Sequence, residues 1–335
     1  MKMLHLRGPN SRFPVGSLFA KKLQEVGEFH DIPLDPNMSE SDLVDFIGQY
    51  DAIITMWGQH PIPPALAGKP GKLKYVCNVT GTLKHWVPAE LIEAGIQVTN
   101  WGDAPANGVA EGAMALLLAS LKDIPSFVLS TRAGVNGMGD CVGGTLYKTR
   151  VAIYGLGVIG IRFVEMIRPF GARLTVYDPY VDVLPEGCKR VNSLDELCKG
   201  ADILVVHAGR SAETDYSITA RHLAMLPDHG IIVNTARGEI FKQDELFESL
   251  KDGRLRAGID VFDADVFEED HPARQWPNLI YTSHCVSGGP AAKWPPLKEG
   301  ELERMYEIAL ENLTRFKNGE PLKFTMDLVR YNRST

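Results

Sequence analysis

Short apolar runs alternate with segments of helical periodicity along the first hundred residues. The runs that favour strands are Leu4–Leu6, 51–57, 73–78 and 96–99. The segments that favour helices are 39–47, which opens with a potential Ser39 cap, and 88–94. Strands that alternate with helices in this way predict a parallel α/β sheet.

The same alternation resumes after a different kind of segment. Residues 108–120 (GVAEGAMALLLAS) are apolar almost all round, which predicts a buried helix, and 133–145 are irregular and rich in glycine. The strands predicted after that are 151–154, 173–177, 202–206, 230–234, 256–260 and 279–281, with helices over 158–169, 193–198, 218–225 and 243–251. Six strands of this kind predict a doubly wound sheet. The amphipathic segment 297–316 predicts a helix that returns to the first domain, so that one domain is inserted into the other.

The most informative stretch is 151–160, VAIYGLGVIG, in which an apolar strand runs into G-x-G-x-x-G at the start of a predicted helix. Gly155 permits a tight turn, Gly157 lets a pyrophosphate approach the backbone, and Gly160 lets helix and strand pack closely. The free N–H groups and the dipole of the helix start favour a bound phosphate. Asp178 ends the next predicted strand, and its carboxylate can accept hydrogen bonds from both ribose hydroxyls of an adenosine. This order of elements predicts a dinucleotide site.

Asp178 also favours NAD over NADP, because its carboxylate would repel a 2′-phosphate. Arg162 and Arg173 are nearby cations that soften this preference. NAD is therefore the predicted cofactor.

Composition narrows the classes of function. The chain has 335 residues, 44% of them hydrophobic and 23% charged, which predicts a soluble globular protein of about two domains. A net charge of −7 supplies no basic field for nucleic acid, and the apolar runs are too short and interrupted for a membrane span. The N-terminus turns polar too early for a signal peptide, and the five cysteines form no C-x-x-C pair. We therefore expect a cytoplasmic protein with reduced thiols, no metal site, and no nucleic-acid or membrane partner.

Several motifs resemble those of the D-isomer-specific 2-hydroxyacid dehydrogenase family. They are Gly143-Gly144-Thr-Leu, the glycines at 155–160, Tyr177-Asp178-Pro179, Val205-Val-His207, Val233-Asn-Thr-Ala-Arg237-Gly238, Gly258-Ile-Asp260-Val-Phe262 and Ser283-His284. They stand in family order, whereas the first 70 residues resemble the family only in their strand–helix rhythm. The resemblance implies a Rossmann NAD-binding domain over 104–295, inserted into a smaller flavodoxin-like α/β substrate-binding domain formed by 1–103 and 296–335.

The resemblance also implies three catalytic residues. Arg237 follows a predicted strand, and its guanidinium can bind a substrate carboxylate through two parallel hydrogen bonds and polarise the adjacent carbonyl. His284 follows the last predicted strand and can donate a proton to the alkoxide that hydride transfer produces. The third catalytic residue in the family is a Glu, and the matching position here is Asp265, whose side chain is one methylene shorter. The alternatives left open for this acid are Asp263, Glu268 and Glu269.

The other site residues are implied in the same way. Asp260 is expected to bond the nicotinamide carboxamide, and the substrate carboxylate is expected to meet backbone N–H groups of the turn Val79-Thr80-Gly81 as well as Arg237. The family's Asp shortly after that glycine is replaced here by residues 83–86, Leu-Lys-His-Trp, which predicts altered specificity. The remaining predicted cofactor contacts are Val158, Ile159, Ala208, Thr235 and Ala236.

The expected function is the NAD(H)-dependent interconversion of a 2-keto acid and a D-2-hydroxy acid by a homodimer. The sequence does not identify which 2-keto acid is used. The alternative from a different class is a nucleotide-sensing binding or scaffold protein of the same fold. Within enzymes, the same hydride chemistry on an unusual donor such as formate is a further alternative.

Overall fold

The computed structural model describes residues 1–81, 83–135, 141–263, 268–287 and 296–333. Contacts within the chain divide it into two units. We term Met1–Ala104 with Trp294–Thr335 the small unit, and Pro105–Lys293 the large unit.

Both units consist of strands and helices that are numbered here along the chain. The strands are β1 Lys2–Arg7, β2 Glu28–Pro33, β3 Ala52–Thr55, β4 Tyr75–Asn78, β5 Gln97–Thr99, β6 Arg150–Tyr154, β7 Arg173–Tyr177, β8 Cys188–Arg190, β9 Ile203–Val206, β10 Ile231–Asn234, β11 Arg256–Ile259 and β12 Leu279–Tyr281. The helices are α1 Leu18–Val26, α2 Glu40–Ile47, α3 Ala89–Glu93, α4 Ala106–Leu121, α5 Ile124–Arg132, α6 Val158–Ile167, α7 Leu194–Cys198, α8 Ala220–Leu223, α9 Gln243–Leu250, α10 Arg304–Asn318 and α11 Leu328–Arg333.

Each unit is built on a parallel sheet. The small unit has the strand order β2-β1-β3-β4-β5, and the large unit has the order β12-β11-β10-β9-β6-β7-β8. Neighbouring strands in both sheets pair in parallel. The predicted α/β class and the doubly wound sheet are therefore confirmed, and the carboxyl ends of the strands in each sheet share one edge.

The sequence pattern misses α1, α5, α11 and the edge strands β2 and β8. In β2 the apolar pattern is interrupted by Asp31, which accepts a hydrogen bond from Nδ1 of His5 (2.9 Å) on the neighbouring strand. The helix predicted from residue 297 begins only at Arg304, because Gly300 has a φ of +85° that a helix cannot include. At β2 and at the start of α10, the local sequence pattern does not show the side-chain contact or the backbone conformation that determines the structure.

Serine side chains cap the starts of α1, α2 and α7. The Ser39 hydroxyl accepts a hydrogen bond from the Asp42 N–H (3.1 Å), which confirms the cap predicted for α2. Ser193 caps α7 in the same way, through the Glu196 N–H (3.1 Å). These caps fix where each helix begins relative to the strand before it.

Helix α4 packs directly on the sheet of the large unit. Most of its residues are buried, as the sequence predicts. Gly258 on β11 permits the close approach, because a Cβ there would lie 2.7 Å from Cβ of Leu116.

No single helix within the described ranges is long and apolar enough to cross a membrane, although α4 and α5, bent by 56°, pass that test of length and composition as a pair.

A buried ion pair joins the elbow between α4 and α5 to the start of β11. Asp123 and Arg256 have side chains that are 7% and 9% exposed, and their charged groups lie 3.3 Å apart. Arg256 also donates to the carbonyl oxygens of Ser120 (3.2 Å) and Val142 (2.6 Å), and Asp123 accepts from the Val142 N–H (3.1 Å). The pair therefore holds three separate segments together at the amino end of β11.

Asp123→Asn is expected to destabilise the protein by about 3 kcal/mol, because it leaves the Arg256 charge buried without its counter-ion. Asn tolerates the left-handed backbone of this position, where φ is +53°. The free energy of unfolding in urea measures the effect. The control is Glu25→Gln, which removes the exposed pair with Lys22 and should cost less than about 1 kcal/mol. Equal losses in the two variants would contradict the role of the buried pair.

Candidate active site

The glycine loop between β6 and α6 has the geometry that its motif predicts. Gly155 has a φ of +90°, and a Cβ there would overlap the backbone of Ala208. A Cβ on Gly160 would lie 2.5 Å from the Gly155 carbonyl oxygen, so this glycine lets helix and loop touch. A Cβ on Gly157, in contrast, would meet no atom of the described chain within 4 Å. The open side of Gly157 faces no protein group, which is the condition for close approach by a phosphate.

The first turn of α6 supplies donors beside this loop. Gly157 is the residue before the helix, and Val158, Ile159 and Gly160 form its first turn. Their backbone N–H groups have no acceptor inside the helix, because the i−4 partners do not exist at a helix start. Together with the helix dipole they favour an anion at this point.

Asp178 lies at the carboxyl end of β7, next to the glycine loop. Its Oδ2 accepts a hydrogen bond from the Leu156 N–H (2.7 Å), and its Oδ1 accepts one from the Tyr180 N–H (2.8 Å). Each carboxylate oxygen has a second lone pair, so both can still accept from a hydroxyl. The carboxylate is thus fixed in place and retains the capacity that the predicted ribose contact requires.

Arg237 lies directly after β10, in a turn that Asn234 shapes. The Asn234 side chain accepts from the Ala236 N–H (3.0 Å) and donates to the Arg237 carbonyl (2.9 Å). Gly238 packs so tightly on the backbone of Phe262 that any Cβ there would overlap it. The partly buried Arg237 donates from Nη1 to the Ala236 carbonyl (2.6 Å). These contacts hold the turn after β10 against the segment that follows β11.

His284 lies in a turn that follows β12. Its backbone N–H donates to the Asp260 carbonyl (2.5 Å). Ser283 and His284 have φ values of 45° and 59°, in the left-handed region that such residues seldom occupy. This conformation persists only where surrounding contacts impose it.

The Asp260 carboxylate provides most of those contacts. Its Oδ1 accepts hydrogen bonds from the Thr282 hydroxyl (2.6 Å), the Cys285 N–H (2.9 Å) and the Val286 N–H (3.0 Å). Asp260 is 3% exposed, so these bonds form away from water, where they are strongest. The predicted bond from Asp260 to the nicotinamide carboxamide stays a prediction and would use the other oxygen, Oδ2.

Helix α4 supports the same turn from its other side. A Cβ on Gly112 would overlap the Val286 side chain, and a Cβ on Gly108 would lie 3.3 Å from the Ser287 carbonyl oxygen. The apolar pattern of 108–120 predicts this helix but gives no role to its glycines. Their spacing of four residues, which places them on one helix face, is the signal that identifies them.

The two predicted catalytic side chains share one edge of the sheet. In the order β12-β11-β10, the turns that carry His284 and Arg237 lie two strands apart, which corresponds to about 10 Å. Asp260 follows β11, between them. The arrangement brings a cation and an imidazole to the same edge of the large unit.

Four acids are candidates for orienting His284, namely Asp265, Asp263, Glu268 and Glu269. Asp265 lies outside the described residues. Asp263 lies within them, and its N–H donates to Oε1 of Gln243 (2.9 Å). Burial raises the pKa of Asp263, and the nearby Glu239 raises it further. Glu268 is exposed, as is Glu269. The assignment of Asp265 therefore stays a prediction.

The predicted substrate turn of the small unit follows β4. The Val79 N–H donates to the Thr55 carbonyl (2.8 Å) within the sheet, so the carboxylate contact predicted for this turn falls to Thr80 and Gly81. The Thr80 carbonyl accepts from Nδ2 of Asn78 (2.5 Å). The Trp101 ring lies against Gly81, where a Cβ would be 2.7 Å from its indole nitrogen. These contacts hold the backbone of the turn in place.

The large unit also contains buried polar atoms without a hydrogen-bond partner among the described residues. The Thr235 hydroxyl and both ring nitrogens of His207 are buried, and the described residues offer them no hydrogen-bond partner. Thr235, a predicted cofactor contact, directly follows β10, and His207 directly follows β9 beside Gly155. The open side of Gly157 and the start of α6 suit the phosphates of NAD, and Asp178 suits its ribose.

Comparison with known proteins agrees with this geometry. Residues 114–286 match the family model described as D-isomer specific 2-hydroxyacid dehydrogenase, NAD binding domain. The chain belongs to the D-isomer-specific 2-hydroxyacid dehydrogenase family. NAD is its cofactor, and the family's reaction is the oxidoreduction of hydroxy and keto acids.

The sequence identity to individual relatives is between 20% and 31%. The chain is 31% identical over 271 residues to D-3-phosphoglycerate dehydrogenase of Methanocaldococcus jannaschii, a match that covers 79% of this chain and 50% of that protein. It is 26% identical over 289 residues to glyoxylate reductase of Korarchaeum cryptofilum, covering 84% of each. The solved structure of D-2-hydroxyisocaproate dehydrogenase shares the fold with a TM-score of 0.72 at 20% identity, covering 97% of this chain and 99% of that one. The chain thus spans about half the length of the phosphoglycerate dehydrogenase it matches.

Gly157→Ala is expected to weaken NADH binding at least about tenfold while leaving the melting temperature within about 2 °C of the wild type, because its new methyl group enters only the space needed by the phosphate. Gly155→Ala is the matched comparison, since its methyl group overlaps Ala208 and should lower the melting temperature. Fluorescence titration with NADH and thermal unfolding measure the two quantities. Unchanged NADH affinity in Gly157→Ala would contradict the assignment of the loop.

The free energy of unfolding is expected to decrease as the pH is lowered, because of His207. Burial lowers its pKa to about 3, whereas a histidine in the unfolded chain titrates near 6.5. Between these values the unfolded state binds a proton that the folded state does not, so acidification favours unfolding. From pH 7.5 to pH 5 the wild type without cofactor should lose about 2 kcal/mol more than His207→Gln in urea unfolding. The same pH dependence in both proteins would show that His207 is not the group responsible.

Proposed function

We propose that the chain reduces a 2-keto acid to the corresponding D-2-hydroxy acid with NADH, and catalyses the reverse reaction with NAD⁺. A dinucleotide held by the glycine loop and Asp178 would supply a hydride to the carbonyl carbon of the substrate. The protein has to bind the keto acid, polarise its carbonyl and donate a proton to the oxygen, so that one hydride and one proton convert C=O to CH–OH.

Arg237 binds the substrate carboxylate in this proposal and polarises the neighbouring carbonyl. A guanidinium suits this role because its planar donors match a carboxylate with two parallel hydrogen bonds. Its turn is held by Asn234 and by the contact of Gly238 with Phe262, so the backbone that carries the guanidinium is fixed before the substrate arrives.

His284 donates the proton to the carbonyl oxygen and accepts it back in the oxidation. An adjacent carboxylate, for which Asp265 is the predicted residue, would favour the protonated imidazole that reduction requires. Asp260 contributes by holding the backbone of the turn rather than by exchanging a proton.

The observation that carries the proposal is the order β12-β11-β10, in which the Asp260 carboxylate holds the turn of His284 at the same sheet edge as Arg237. The phosphate-binding loop and Asp178 end at that edge too, after β6 and β7. One edge of the large unit therefore carries both the cofactor residues and the proposed acid and cation.

The homodimer and the cytoplasmic location remain part of the proposal. Helix α5 exposes apolar side chains in the large unit, among them Ile124 (47% exposed) and Leu129 (54% exposed). A homodimer contact over this helix would remove that apolar surface from water.

Arg237→Lys is expected to lower kcat/KM for reduction by roughly 30- to 1,000-fold, about 2–4 kcal/mol of transition-state stabilisation, because an ammonium cannot replace the two-donor contact. NADH oxidation with glyoxylate, pyruvate and bulkier 2-keto acids measures this effect. Arg168→Lys, at an exposed position just after α6, is the control and should keep wild-type rates.

A Lys variant with unchanged kcat/KM on every keto acid that the wild type reduces would overturn the role of Arg237. Absence of turnover by the wild type across the whole set, with NADH binding intact, would instead favour a nucleotide-sensing binding protein.

A further inference from the structure

Buried polar atoms of the small unit that have no hydrogen-bond partner in the described chain include Nε2 of His5, Nε1 of Trp86 and side-chain atoms of Gln59 and Thr80. Gln59, which is 4% exposed, leaves both Oε1 and Nε2 unpaired, and Thr80, which is fully buried, leaves its hydroxyl unpaired. Gln59 follows β3 and Thr80 follows β4, and these two strands are neighbours in the sheet. Both side chains therefore belong to the carboxyl edge, where parallel sheets bind ligands.

The loop that carries Gln59 is fixed by the segment after β1. Gly58 has a φ of +77°, and a Cβ there would overlap the Asn10 carbonyl. The Trp57 carbonyl accepts a hydrogen bond from the Arg12 N–H (3.0 Å). These contacts hold the backbone of the loop in place.

The backbone beside Thr80 is equally constrained. The Thr55 hydroxyl donates to Oδ1 of Asn78 (2.8 Å), and Nδ2 of Asn78 donates to the Thr80 carbonyl (2.5 Å). This chain of bonds uses the Thr80 carbonyl and leaves its hydroxyl unpaired.

Unpaired buried polar groups oppose folding, since each loses its bonds to water without replacement. Leu and Val would fill the same volumes as Gln59 and Thr80 without that cost. An amide and a hydroxyl at a ligand-binding edge are explained if a ligand supplies their missing partners.

Aromatic rings lie beside these groups. The Trp101 ring lies against Gly81 and meets the Trp57 ring edge to face, with centroids 5.9 Å apart. Trp57 and Trp101 thus provide apolar surface on the loops after β3 and β5. A ligand at this edge would contact apolar rings together with a few uncharged polar groups.

We propose that Gln59 and Thr80 bind the side chain of the 2-keto acid and select substrates that carry a neutral hydrogen-bonding group, such as a hydroxyl, on that side chain. The two unpaired groups are themselves neutral and offer both donors and acceptors, which match a hydroxyl. A phosphate or a second carboxylate would call for a cation instead. This inference rests on the proposed function only in taking a 2-keto acid as the substrate.

Hydroxypyruvate and 2-ketobutyrate provide the test, because they have nearly the same shape and differ by a hydroxyl in place of a methyl group. The measured quantity is the ratio of kcat/KM for hydroxypyruvate to kcat/KM for 2-ketobutyrate. The wild-type ratio should exceed one by roughly 10- to 100-fold, and Gln59→Leu should lower it by a similar factor. Thr80→Val should lower the ratio as well, whereas Thr80→Ser, which keeps the hydroxyl, should restore it.

Thermal unfolding separates this role from a structural one. Gln59→Leu should keep or raise the melting temperature, because it removes an unpaired buried amide. Gln49→Leu, which replaces an exposed glutamine of the same unit, should leave the ratio unchanged.

A wild-type ratio near one, or an unchanged ratio in Gln59→Leu and Thr80→Val, would overturn the inference. So would a lower melting temperature with an equal loss on both substrates, which would mean that a buried water pairs with Gln59 in a structural role. Turnover of glyoxylate, which has no side chain, distinguishes failure of this inference from failure of the proposed function. If glyoxylate is reduced while the ratio does not respond, the inference fails and the proposed function stands. If the wild type reduces none of these acids, both fail.

Discussion

A single carboxylate oxygen determines the position of the proposed acid. Oδ1 of Asp260 accepts hydrogen bonds from the Thr282 hydroxyl and from the N–H groups of Cys285 and Val286. These bonds enclose His284, whose left-handed backbone would relax without them. A buried oxygen with several donors is stable only if they stay in place, so the carboxylate and the turn stabilise each other.

The surrounding fold supports that interaction from two directions. Helix α4 touches β11 through Leu116 and Gly258, and it touches the turn of His284 through Gly112 and Val286. The Asp123–Arg256 pair joins the end of the same helix to the start of β11. The strand that leads to Asp260 and the turn that Asp260 holds are thus packed against one helix. This packing explains why a helix apolar on nearly all sides includes two glycines on one face.

The sequence predicts the parts of this account that depend on local chemistry. The glycine loop, the strand before it and Asp178 form a continuous pattern whose residue types follow from phosphate and ribose binding, and the structure shows close backbone contacts at Gly155 and Gly160 and open space at Gly157. The positions of Arg237 and His284 after strands are predicted in the same way. The role of Oδ1 of Asp260 is not, because it depends on β11 and β12 being neighbours. The role of Gln59 is not predicted for a similar reason, because only the fold shows that its amide is buried and unpaired. The edge strand β2 is missed because Asp31, which interrupts its apolar pattern, is paired with a neighbouring strand.

A crystal structure with NAD⁺ and oxamate, an unreactive analogue of a 2-keto acid, would show whether Arg237 and His284 both face the substrate. We expect two N–O contacts of about 2.7–3.1 Å between the Arg237 guanidinium and the oxamate carboxylate. We also expect a ring nitrogen of His284 within hydrogen-bond distance of the oxamate carbonyl oxygen, with the turn still held by Oδ1 of Asp260. Oxamate bound beside the nicotinamide with either side chain directed away from it would overturn the proposed roles of Arg237 and His284.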